Sequence, residues 1–151
     1  MIDRIEETSR QLTSEDVGVL EAAMGIQLPD DYRSFLLKFN GGRPIPNGFP
    51  IEGMYNNPFG TIQVFFGVDN PIESCNIAWN FDVARDRLPG NLLPIACTGT
   101  GDIICLSISG DDTGAVVFWD HEAEHSPPTY GNVYRIATTF AEFIANIHVV
   151  S

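Results

Sequence analysis

Lysine is almost missing from this chain. Lys38 is the only one in 151 residues, and with seven arginines it faces twenty acidic residues, giving a formal charge of −12. Such a surface repels polyanions, so nucleic acid and anionic membrane are poor partners. Long apolar runs are missing too: nowhere do about 18 uncharged apolar residues follow one another, as a spanning helix needs. The opening MIDRIEETSR places Asp3, Arg4, Glu6 and Glu7 where a secretory leader would need an apolar stretch, so a cytoplasmic protein is expected. Cysteine is scarce. Cys75, Cys97 and Cys105 show no CxxC spacing and cannot all pair within one chain, which predicts small apolar packing in a reducing compartment rather than a disulfide framework.

What is present is a chain of one domain's length, 1–151, with 44% hydrophobic and 19% charged residues. Thr13-Ser14-Glu15-Asp16 offers a helix cap, Val17, Leu20 and Met24 follow at helical spacing, and Gly25 is a natural stop. Pro29 then opens a second helix with Asp30 and Asp31 in its first turn; Tyr32, Phe35, Leu36 and Phe39 are expected on one face before Asn40-Gly41-Gly42. The Pro- and Gly-rich stretch 43–58 reads as loop, with a short strand near 49–52. TIQVFFGV at 61–68 predicts one strand, and the stripe Ile77, Phe81, Ala84 predicts a helix within 72–87. LLPIAC at 92–97, DIICLSIS at 102–109 and AVVFW at 115–119, separated by Gly-rich turns, predict an antiparallel meander. Thr139 and Glu142 form a capping pattern ahead of Phe140, Phe143, Ile144 and Ile147, which predicts a closing helix over the sheet. The class is therefore α+β, mainly antiparallel, with N-terminal helices and a C-terminal helix packed on the sheet.

The chemistry is thinner. HEAEH at 121–125 satisfies the zinc-protease pattern, which works only when both histidines project from one helix. Here it follows a strand and precedes Ser126-Pro127-Pro128, so a strand end and a solvated acidic loop are expected, without a metal. Thr98-Gly99-Thr100-Gly101 lacks the Gly-Lys-Ser/Thr ending of a phosphate loop, and Ser107 and Ser109 lack a nucleophile elbow. Neither catalytic residues nor a cofactor site emerge.

The run Gly25-Ile26-Gln27-Leu28-Pro29-Asp30-Asp31-Tyr32-Arg33-Ser34-Phe35-Leu36, ending in Asn40-Gly41-Gly42, resembles the signature of the SUKH superfamily. So do Leu93-Pro94-Ile95-Ala96, Gly99 through Leu106, Gly114 through Glu122 with its Trp-Asp-His strand end, and Phe140-Ala141-Glu142-Phe143-Ile144. The resemblance spans nearly the whole chain in order. It implies an α+β fold and a protein that binds without catalysis: bacterial members are immunity proteins that neutralise a secreted toxin, often a nuclease, and fungal members suggest a scaffold or regulatory module as the alternative.

An immunity role implies a cognate toxin with a basic active face, which an acidic surface can occlude. Asp102, Asp111, Asp112, Asp120, Glu122 and Glu124 fall between Arg87 and Arg135, an interval with no Lys or Arg, and are the expected acidic field. Trp119 and Tyr130, with Trp79 and Tyr55, are the candidate aromatic anchors. The oligomeric state is left open by the sequence.

Overall fold

The computed structural model describes residues 1–54 and 58–150. Its helices follow their local signals closely. Helix α1 (Ser14–Met24) is closed by a reciprocal box: the Asp16 amide donates to the Thr13 hydroxyl at 3.2 Å, and the Thr13 amide donates to the Asp16 carboxylate at 2.8 Å. Helix α2 (Asp30–Lys38) begins after Pro29 and buries Tyr32 and Leu36. Phe39 departs from the expected face. It is the extended residue that ends the helix (φ −134°), leaving Phe35 to meet the rings of Phe65 and Phe140, each 4.9 Å away.

The exit from α2 explains the Asn-Gly-Gly run. Asn40, 2% exposed, donates to the carbonyls of Arg10 (2.9 Å) and Val68 (2.8 Å) and accepts from the Val68 amide (2.7 Å). One side chain thus joins three segments. Gly41 (φ +72°) passes so close to a neighbouring strand that a Cβ would stand 2.9 Å from the Phe65 carbonyl oxygen, so only glycine fits.

The expected strand at 61–68 is two. Strand β4 (Phe59–Thr61) pairs with β3 (Gly48–Pro50), whereas β5 (Val64–Phe65) joins the main sheet. Between them Ile62 is buried in the core while its amide donates to the Asn47 carbonyl at 2.8 Å, so the chain switches partners there. The stretch read as loop also holds β2 (Arg43–Ile45), paired antiparallel with β1 (Arg4–Glu6). Within 72–87 the structure has a single 3-10 turn at Glu73–Cys75 and a short α3 (Ile77–Val83).

The main sheet is antiparallel in the order β5-β6-β7-β8-β9, with β6 (Leu92–Cys97), β7 (Ile103–Ser107), β8 (Val116–Trp119) and β9 (Val133–Ala137). The first three of these four match the expected meander; β9 has no counterpart in the sequence reading. Both faces of β8 are covered. Val116 and Phe118 enter the main core beneath α1, α2 and the closing helix α4 (Phe140–Ala145), where Phe49, Phe65, Phe140 and Phe143 cluster. Val117 and Trp119 enter a smaller cluster on the opposite face with Ala84, Leu88, Leu92 and Cys105. Each such aromatic or aliphatic burial contributes about 1.5–3 kcal/mol, which is why two-sided coverage makes β8 the centre of the molecule. Cys105 is buried as expected, while Cys75 and Cys97 are only half-buried. No helix among the described residues is long and apolar enough to cross a membrane.

Candidate functional site

The two ends of the β7–β8 hairpin carry the polar side chains of interest. At the open end, register pairs Ile103 with Trp119, which brings Asp102 beside His121 although nineteen positions separate them. The Asp102 side chain is a buried hub. One carboxylate oxygen accepts from His121 through the ring Nδ1 at 2.6 Å and the amide at 3.2 Å; the other accepts the hydroxyls of Thr98 (3.3 Å) and Thr100 (3.1 Å). The hydrogen bond to Asp102 raises the His121 pKa above its ordinary value. HEAEH is therefore not a helical zinc motif. Asp120 caps a single 3-10 turn, His121–Ala123, by accepting from the Glu122 amide, and Glu124 is already extended (φ −61°, ψ 137°). Ligating atoms of Asp102, Asp120 and His121 lie within 4.8 Å of one another, a donor set of the kind that takes a divalent cation, but both Asp102 oxygens are engaged within the protein.

At the closed end the turn 108–115 presents Asp111 and Asp112. Asp111 is exposed; Asp112 accepts the Ser107 hydroxyl at 2.8 Å and lies 3.8 Å from the Arg135 guanidinium. Tyr130, 53% exposed, donates its hydroxyl to the Asn91 side chain, and Asn91 in turn donates to Ser107 at 3.3 Å. The tyrosine is thus exposed but fixed in direction. Partial burial pushes its hydroxyl pKa up.

These placements correct the picture of a single acidic field. From Asp102 to Ser107 the strand runs about 17 Å at 3.4 Å per residue, so the acidic side chains form two groups rather than one. Trp119 is 1% exposed, with the Arg87 guanidinium 5.0 Å above its ring, and belongs to the core because β8 is covered on both faces. Asp102, 7% exposed, is a support rather than a surface charge. Glu124 is paired with Arg87 at 3.1 Å. That leaves Asp111, Asp120 and Glu122 without a Lys or Arg partner among the described residues, with Asp111 and Glu122 exposed and Asp120 half-buried. Trp79 is half-buried on α3, and Tyr55 lies outside the described residues.

A feature the sequence did not signal is a 590 Å³ cleft between residues 7–10, Arg43 and the segment 69–75. Its walls carry Glu7 and Asp69, which share a left-handed backbone (φ 58° each), and each carboxylate meets a guanidinium at 2.7 Å: Glu7 with Arg43, Asp69 with Arg10. These pairs tie residues 7–10 to the body of the protein and leave the cleft's charges compensated.

Comparison with known proteins places this geometry in context. Residues 11–146 match the family model of the SMI1 / KNR4 family (SUKH-1). A Bacillus subtilis (strain 168) protein described as an SPbeta prophage-derived uncharacterized protein YokK is 31% identical over 150 residues, covering 89% of this chain and 74% of that protein.

Proposed function

Because the chain belongs to the SMI1 / KNR4 family (SUKH-1), we propose that it works by binding rather than catalysis, as an immunity protein that neutralises a cognate protein toxin in the cytoplasm. The toxin is a basic domain, a nuclease being the class that best fits. A nuclease must hold a polyanion, so its active face is basic, and a surface of the opposite sign can cover that face without any bond being made or broken.

The observation that carries this reading is the charge of −12 combined with its placement: Asp111 and Glu122 are exposed with no basic side chain spent on them among the described residues. Asp112, Asp120 and Glu124 complete the two acidic groups, and Tyr130 offers an oriented aromatic contact beside the first. Trp119 and Asp102 serve from beneath, holding the strand end in place. Occlusion needs no cofactor.

Co-expression with the C-terminal domain of a toxin encoded beside this gene tests the reading. Restored growth together with a stable complex on pull-down supports it. Continued toxicity with no complex refutes that pairing.

A further inference from the structure

The outward face of α3 provides a second and different kind of surface. Helix periodicity of 3.6 residues per turn puts Ile77, Phe81 and Ala84 toward the protein, and they pack in its two core clusters. Trp79 and Val83, four residues apart, point the other way. Val83 is 49% exposed, and Trp79 belongs to neither cluster, unlike the protein's other tryptophan. Val83 and the uncovered part of the half-buried Trp79 leave apolar area on the outer side of this short helix that the monomer does not enclose. The same segment carries the exposed carboxylates of Glu73, Asp82 and Asp86, and among the described residues the one guanidinium paired with any of them is that of Arg85, 2.9 Å from Asp82. Arg87 is turned away, toward Glu124 and the ring of Trp119.

We infer that Trp79 and Val83 form the apolar anchor, and Glu73, Asp82 and Asp86 the acidic rim, of a docking surface for a basic protein domain. This rests on the immunity reading and locates its contact: the toxin seats on α3. The pattern is that of a binding hot spot, a tryptophan with an apolar neighbour inside a charged border. The sign of the border selects the occupant. A second copy of this chain brings another −12 and is repelled, as are nucleic acid and anionic lipid, whereas a basic domain is steered in. The Arg87–Glu124 pair and the Tyr130–Asn91 hydrogen bond tie the segment following α3 to the loop 120–131.

The test uses the full chain and the neighbouring toxin domain in a catalytically inactive form. In the wild type, Trp119 is shielded, so acrylamide quenching of tryptophan fluorescence reports mainly on Trp79. The expected result is loss of that quenching at saturating toxin, with Trp79→Ala weakening binding about 30-fold or more while circular dichroism shows that the variant remains folded at the temperature of the assay. Because the quenching experiment needs no variant, it holds even if the substitution disturbs folding. Binding with unchanged quenching, and a Trp79→Ala affinity within threefold of wild type, would overturn the location and leave the immunity reading intact. No binding by the wild type would refute the pairing with that toxin and, with it, a seat for that toxin on α3.

Discussion

Asp102 and His121 show what a single buried carboxylate can organise. The imidazole is one-third exposed and its proton is held by a carboxylate that also fastens the Thr98-to-Gly101 turn. A raised folded-state pKa has a definite consequence for stability. The pair contributes fully below the unfolded histidine value of about 6.5, and that contribution disappears as pH rises through the folded value. Proton NMR titration should therefore give a His121 midpoint above 6.5 in the wild type and one moved back toward 6.5 in Asp102→Asn. A midpoint unaffected by the substitution would show that the carboxylate is not the cause.

Among the elements, those with their own punctuation were legible and those made by partners were not. Helix α1 is the clearest case, because Thr13, Asp16 and Gly25 specify both of its ends locally. Arg10 reinforces the start, and its hydrogen bond, with those from Thr13, holds the Asp16 carboxyl down at about 2. Replacing Thr13 with Ala is expected to cost about 1 kcal/mol. For a chain of this size that lowers the melting temperature by roughly 2–4 °C, measurable by thermal denaturation. Strands β1 and β9 lack such signals: RIE is only three residues long and VYRIA does not alternate cleanly, and each becomes a strand only because β2 or β8 lies alongside. The division of 61–68 has the same origin, two sheets competing for one apolar run. For the candidate site, residue type announced acidity and aromaticity but not depth. Trp119 is enclosed by coverage of both faces of β8, and Trp79 is turned outward by helical phase, differences that tertiary packing decides.

At the scale of the molecule, charge governs how fast partners meet more than how tightly they hold. Exposed carboxylates act over roughly 10 Å at 0.1 M salt and only about 3 Å at 1 M. Association with a basic toxin should then slow at least tenfold between about 0.05 and 0.5 M salt, while dissociation changes little, as read by surface plasmon resonance. A dissociation rate rising in step would mean that ion pairs, rather than Trp79 or Tyr130, hold the complex.

Asn40 has one more consequence, which concerns how the protein ages. An asparagine followed by glycine cyclises readily to a succinimide when its side chain and the next amide are free, and hydrolysis then leaves aspartate or isoaspartate. Here the side chain is held by Arg10 and Val68, and the Gly41 amide donates to Phe39 at 2.9 Å, so neither reacting group is available in the folded chain. Unfolding frees both. A molecule that deamidates there places a carboxylate where Val68 needs a donor to its carbonyl, and it cannot regain the same closure. Position 40 therefore records whether a given copy has ever been unfolded for long, a chemical memory set by the residue that fastens the fold.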